Sequence, residues 1–184
     1  MHGYEGKLLI AHPGLSKNDF FYRSVIFIYS DSSDGTLGLV LNKQTNTTVK
    51  EICYDKGILW PDGINKTYQG GPVSKQSLIM VHTSDHWQSS NTMRLGKYAV
   101  TSDELMFHKM ANGDQPAYWR MTLGIAAWQP GQLQLELKGK FPYKTENSWL
   151  TAEPTDATMF AYDGEDQWIK ATELSSQQMI NTFF

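Results

Sequence analysis

The stretch from Ser24 to Leu41 constrains this chain most. Two β-rich apolar runs, Ser24 to Ser30 and Leu37 to Leu41, flank Asp31-Ser32-Ser33-Asp34-Gly35. An Asp-Gly between two such runs signals a hairpin, because both residues tolerate the positive φ of a tight turn. The apolar residues are nearly continuous rather than alternating, so both strands are expected to be covered on both faces. A chain that buries a hairpin this way must supply a layer on each side of a sheet. Its 184 residues, 40% hydrophobic and 19% charged, suffice for one domain with a substantial core. The same composition excludes a disordered chain.

Lys7 to Ala11, ended by Pro13-Gly14, reads as a further buried strand. Short strands are expected at Thr67 to Gln69, Leu78 to Val81, Tyr98 to Val100, Trp149-Leu150 and Met159 to Tyr162. Tyr118 to Trp128 reads as a central strand with small residues at Gly124, Ala126 and Ala127. Thr48 with Glu51 forms a capping box that opens a helix near Val49 to Lys56, and Gly57 suits its end. Thr101 with Glu104 reads as a second box before a helix carrying Leu105, Met106, Phe107 and Met110. Pro130-Gly131 opens a helix from Gln132 to Leu137, although Leu133, Leu135 and Leu137 also fit a strand. The last helix is expected from Glu165 to Leu174, with Trp168, Ile169 and Ala171 inward, leaving residues 175–184 as a short tail. Gly139 to Asn147 reads as a surface loop. Irregular alternation of strands and helices predicts one α+β domain over residues 1–184, a mixed sheet with packed helices.

The formal charge is −3 and the pI is near 5.9, which argues against binding nucleic acid through bulk charge. Glu153, Asp156, Asp163, Glu165, Asp166 and Glu173 are opposed by Lys170 alone between residues 153 and 173, and this segment would repel DNA. Cys53 is the single cysteine, so neither an intramolecular disulfide nor a multi-thiolate zinc site can form. It reads as a packed small hydrophobe. The polar start Met1 to Gly6 carries no secretion signal, and no run approaches the ~20 apolar residues of a membrane helix. A cytoplasmic location with no membrane contact is expected, and no cofactor is expected.

Several blocks carry a family resemblance. Leu8-Leu9-Ile10-Ala11, Pro13, Leu15, Phe21 and Arg23-Ser24-Val25, then Gly35, Gly38 and Leu39 to Lys43, resemble the opening of the AlgH/YqgE family of small bacterial proteins. Gln69-Gly70-Gly71-Pro72-Val73 with Val81-His82 resembles its second block. Thr101-Ser102-Asp103, Leu123-Gly124 and Trp128 with Pro130-Gly131-Gln132-Leu133 and Glu136 resemble its third, and Trp149-Leu150 its fourth. The resemblance spans roughly residues 7 to 170 and implies an α+β domain with a mixed, partly barrel-like sheet. The biochemical role of that family is unsettled. Its name comes from an association with regulation of polysaccharide synthesis, and members are often called transcriptional regulators. Many members carry a cysteine in the second strand where this chain has Tyr29, which undercuts any thiol mechanism carried over from them. Gly139 to Asn147 reads as an insertion relative to the family.

Candidate sites follow from residue chemistry. Arg23-Ser24 and Asn42-Lys43 sit on neighbouring strands, where Arg and Lys can hold an anion and Asn can bond it. The competing reading, which we favour, pairs Arg23 with a carboxylate and uses Asn42 to satisfy backbone groups. Gly70-Gly71-Pro72 lacks the spacing of a phosphate loop and reads as a tight bend. His82 and His86 are too poorly placed for a metal, since a turn at Thr83-Ser84-Asp85 separates them and no third ligand is evident. Ser24, Ser74, Ser77, His82 and Asp103 supply triad residue types without a nucleophile elbow. Trp128 to Leu133 reads as a structural corner first and a binding surface second, with Gln132 and Glu136 sharing an exposed helix face. The functional expectation is a non-catalytic regulatory or protein-interaction protein with a protein partner. The alternative is a binder of a small anionic ligand, or an enzyme, using Arg23, Asn42, Lys43 and His82. Direct nucleic-acid binding is not expected.

Overall fold

The computed structural model describes residues 3–61, 63–85, 89–139 and 148–184. The strands are β1 (Leu8–Ala11), β2 (Val25–Ser32), β3 (Gly35–Val40), β4 (Gln44–Thr48), β5 (Lys66–Gln69), β6 (Val73–Thr83), β7 (Thr92–Leu95), β8 (Tyr98–Thr101), β9 (Trp119–Trp128) and β10 (Trp149–Ala152). The helices are α1 (Val49–Asp55), α2 (Glu104–Ala111), α3 (Gln132–Leu137) and α4 (Gly164–Phe183), with a π-helical turn at Ala157–Ala161. The sheet curls into a half-barrel in the order β10-β1-β2-β3-β9-β6-β8-β7, and β5 joins β4 to β9. Pairing is antiparallel apart from β5 and β9, which run parallel with Tyr68 opposite Thr122. The chain is therefore a single α+β domain with a mixed sheet, as its sequence implies.

Period-two alternation sorts β6 between two cores. Ile79 and Val81 face a cluster built on β1, β2, β3 and α4, with Phe27, Leu39 and Trp168. Met80 and, from β9, Met121 face the opposite way, onto Val49 and Cys53 of α1 and Met106, Phe107 and Met110 of α2. Both faces of the sheet are thus covered, which is why the hairpin runs read as continuous apolar stretches. Each fully buried Leu, Ile or Phe in these layers contributes about 1.5–3 kcal/mol.

The hairpin closes with Ser32 opposite Gly35, and a bulge between Ile28 and Ser30 bends β2. α1 begins on the expected capping box: Thr48 Oγ1 accepts Glu51 N and Glu51 accepts Thr48 N. Gly70-Gly71 passes across β9 in backbone contact. Gly70 N donates to Leu123 O and Gly70 O accepts from Val40 N, both at 2.8 Å. A Cβ on Gly71 would lie 2.0 Å from the Ile125 carbonyl carbon, so no other residue fits there.

The structure differs from the sequence reading at several elements. Met159 to Tyr162 is not a strand but the end of the π-helical turn and the residue after it; Met159 N bonds Thr155 O, and the turn delivers carbonyls inward rather than along a ladder. α2 is capped by Asp103, whose side chain accepts Leu105 N, and Thr101 instead ends β8 with its hydroxyl bonded to His82 and Thr92. Leu105 is exposed on α2, and Ile169 is exposed on α4. α4 continues through Phe183, so most of the expected tail is helix. The polar strands β4 and β7 carry no apolar period to announce them. Residues 140–147 of the expected loop lie outside the described residues, as does His86.

Candidate functional site

The nine candidate residues separate into distinct places. Arg23, Ser24, Asn42 and Lys43 lie together where β2 begins and β3 ends. Arg23 holds φ +51, pairs with Glu165 of α4, and sets its guanidinium 5.0 Å from the Tyr22 ring and 5.2 Å from the Trp168 ring. Asn42 accepts Val25 N and donates to Arg23 O and Gly164 O, each at 2.9 Å. It thereby fastens the start of β2 to the start of α4. Lys43 donates to Phe20 O and sits 4.5 Å from the centre of the Phe20 ring; burial lowers its pKa, opposed by Asp19. Ser24 is fully buried.

His82 belongs elsewhere, between β6 and β8. Its Nδ1 bonds Thr83 O and its Nε2 bonds Thr101 Oγ1, both at 2.8 Å. It is 1% exposed, and burial holds its pKa below the ordinary imidazole range despite the Thr83 bond and the Asp85 charge. Among the described residues no three His, Cys, Asp or Glu side chains are grouped to hold a metal. Cys53 is fully buried, and desolvation pushes its thiol up to about 11, far from a reactive thiolate.

Two buried charged side chains carry more of the architecture than the candidates. Arg120 stands alone among apolar and small residues of β9. Its Nη1 donates to Leu41 O at 2.8 Å and Gln167 Oε1 at 2.6 Å, and its Nη2 to Tyr162 O at 2.5 Å and Phe160 O at 3.3 Å. The Tyr68 ring covers it at 4.7 Å, and the Tyr68 hydroxyl donates to Asp163 at 2.7 Å. The signal in the sequence was a lone arginine inside an apolar strand, which must find several acceptors indoors.

Glu136 is the other. The sequence placed it with Gln132 on an exposed helix face, but it is 6% exposed. Its Oε2 accepts Trp128 Nε1 at 3.1 Å and Trp149 Nε1 at 2.8 Å, and its Oε1 accepts Gln132 Nε2 at 2.9 Å. Gln132 Oε1 in turn accepts Gln129 N at 2.9 Å, closing the corner. Pro130 and Gly131 make this possible: β9 ends before the proline, and Gly131 at φ +77 turns α3 back under the indoles. Phe21 stacks on Trp128 at 6.0 Å and meets Trp149 edge-on at 5.5 Å.

A cleft of about 320 Å³ opens at this corner, lined by Leu15, Asp19, Phe20, Phe21, Ala127, Trp128, Gln132, Glu136, Ser148 and Trp149. Trp128 and Gln132 are the predicted site residues that line it. Glu136 and the aromatic pair Phe20-Phe21 were not assigned to a site by sequence reasoning, because the segment before β2 meets α3 and Trp149 of β10 only in three dimensions.

A half-barrel sheet with this corner defines a class of small α+β domains, and comparison with known proteins gives the family. The profile of the AlgH-like family matches residues 8–179. The chain belongs to that family. A UPF0301 protein of Idiomarina loihiensis is 30% identical over 178 residues, covering 94% of this chain and 91% of its own. One from Aliivibrio fischeri is 31% identical over 173 residues, covering 90% and 88%. The solution structure of the AlgH protein from Pseudomonas aeruginosa superposes with a TM-score of 0.75 at 26% identity, covering 92% of this chain and 87% of that one. The function of the family is unsettled. Among the described residues no helix is long and apolar enough to cross a membrane.

Proposed function

We propose that this chain is a non-catalytic regulatory protein that acts by binding a protein partner through the cleft at the Trp128–Trp149 corner. The observation that carries the reading is the cleft itself, where half-buried rings flank a floor fixed by the Glu136 bonds to two indoles. Aromatic side chains in a pre-formed, rigid pocket are the usual anchors of protein contacts. The groups with catalytic potential are placed unfavourably for chemistry: His82 and Thr101 bond each other in full burial, and Asn42 is committed to three backbone groups. Any effect on transcription would then run through the partner, since the acidic balance of the chain opposes phosphate contact.

The test is affinity capture from extract of the protein's own cell with wild type, Leu15→Arg and Lys66→Glu. Leu15 lies on the cleft wall, whereas Lys66 is an exposed residue of β5. Proteins retained by wild type and by Lys66→Glu but lost with Leu15→Arg support the reading. A partner set indifferent to Leu15→Arg, or none under any condition, contradicts it.

A further inference from the structure

A second cleft, of about 510 Å³, shares no residue with the one at the tryptophan corner. It lies where three strands break their regular pairing. Tyr29 is the residue left over in the β2 bulge, and Ser74 to Ser77 of β6 stand opposite Gly124 alone on β9. Ser74 at φ +47 and Gly124 at φ +83 both hold left-handed backbone, which is uncommon for a residue with a Cβ. Bulges re-aim side chains, and here Tyr29, Gln76 and Ser77 all line the cleft. Its apolar lining joins the two cores: Tyr29, Ile79 and Ile125 come from the first, Leu78 and Phe107 from the second. A cleft of this volume, apolar with a few polar groups, has the make-up of a small-molecule site. We infer that it binds a small zwitterion with an apolar body, the chemistry of an apolar α-amino acid or a short apolar peptide.

The polar groups select that occupant. Tyr29 is 7% exposed, yet among the described residues its hydroxyl has no hydrogen-bond partner. A buried phenol normally finds one, so its polar tip is kept for whatever enters the cleft. Burial raises its pKa above the ordinary 10, so the hydroxyl stays protonated and can donate to a carboxylate oxygen. The charged lining is one group of each sign. Lys56 caps the end of α1 and Glu104 opens α2, each at the helix end whose dipole suits it. Among the described residues neither side chain makes a hydrogen bond or an ion pair, with the other or elsewhere. A plain anion would be drawn by Lys56 and repelled by Glu104, and a plain cation the reverse. An uncharged apolar molecule would use the floor alone. A zwitterion uses both charges, the phenol and the floor together.

The experiment titrates the full chain at about pH 6, where the probe amines are charged. The probes are leucine, leucyl-leucine, N-acetyl-leucine, which lacks the ammonium, and leucine amide, which lacks the carboxylate. The readout is the NMR shift of the Ser77, Ser102 and Phe107 backbone amides, all at the cleft. At least one zwitterion is expected to bind about threefold or more tighter than both single-charge probes, the scale of one exposed ion pair. Whichever of leucine and leucyl-leucine binds tighter identifies the source as free amino acid or peptide. Lys56→Gln should weaken that zwitterion and N-acetyl-leucine by about threefold and leave leucine amide unchanged. Glu104→Gln should weaken the zwitterion and leucine amide and leave N-acetyl-leucine unchanged. Both positions are exposed, so the variants keep the fold. Tyr29→Phe keeps the ring and should weaken the zwitterion by about threefold or more. A single-charge probe that binds as tightly as both zwitterions overturns the inference. So do Lys56→Gln and Glu104→Gln variants that bind every probe like wild type, undiminished binding by Tyr29→Phe, or amides unmoved by every probe at its solubility limit.

Discussion

Arg120 and Glu136 are both buried ionic groups bonded to several partners, yet their surroundings differ. Arg120 is enclosed by β9, the end of β3, the π-helical turn and α4, and its donors meet four acceptors from three separate places in the chain. Glu136 is enclosed on the protein side by two indoles and an amide, but its cluster is the floor of an open cleft. The first arrangement is complete without a ligand and locks segments far apart in sequence. The second is rigid and lines a cleft, which is what a pre-organised binding site requires. Burial and saturation of hydrogen bonds therefore do not separate structure from function here. The cleft beside the group does, since Glu136 and Arg120 are alike at 6% and 7% exposed.

The comparison can be broken by substitution. Arg120→Ala should cost about 5 kcal/mol, because it strands acceptors from Leu41, Tyr162 and Gln167 in the interior. Urea denaturation measures this, and a loss below about 1 kcal/mol would remove the strut role, being the scale of an ordinary surface contact. Trp128→Ala should cost about 4 kcal/mol by opening a large cavity and leaving Glu136 one donor short. A variant that melts like wild type would make the ring a pure binding element.

Gln132→Ala sharpens the comparison at smaller scale. Sequence reasoning, with its side chain on an exposed face, expects almost no effect on stability. The structure, with bonds to Gln129 N and Glu136, predicts a loss of about 1 kcal/mol, near the net worth of a typical pair of such bonds. Equal urea midpoints for variant and wild type would restore the sequence expectation.

His82 gives the smallest and most specific effect. Its folded pKa lies below the ordinary 6.5, so between that folded value and 6.5 the unfolded chain binds more protons. Stability must then fall as pH drops through 6.5 toward the folded value, and His82 adds no slope above it. The difference in urea midpoint between wild type and His82→Asn, followed from neutral to acid pH, isolates this contribution. A difference that stays constant across that window contradicts a buried neutral imidazole.

Much of this was legible in the sequence where the cause is local. The hairpin, the Thr48 capping box, the strand ending at Trp128 and the turn at Pro130-Gly131 each rest on residues a few positions apart. Leu133, Leu135 and Leu137 left α3 ambiguous, and the indole–Glu136 bonds decide it by requiring Gln132 and Glu136 one turn apart. What escaped is non-local. Met159 to Tyr162 looks like a strand until Arg120, some forty residues earlier, claims the Phe160 and Tyr162 carbonyls. Glu136 looks exposed until Trp149 returns across it. Several residues of the acidic segment 153–173 are fasteners: Asp156 accepts from Tyr98, Asp163 from Tyr68, and Glu165 pairs with Arg23.

The most direct test of the division between strut and cleft pairs thermal melts with partner binding curves for Leu15→Arg and Arg120→Met. The account predicts that Leu15→Arg melts within about 1 kcal/mol of wild type, as a rim substitution should, while its Kd for the captured partner rises about tenfold or more. Arg120→Met should melt far earlier yet, at a temperature where it is folded, bind with the wild-type Kd. The contradicting result is the reverse: undiminished binding by Leu15→Arg, with affinity lost in folded Arg120→Met.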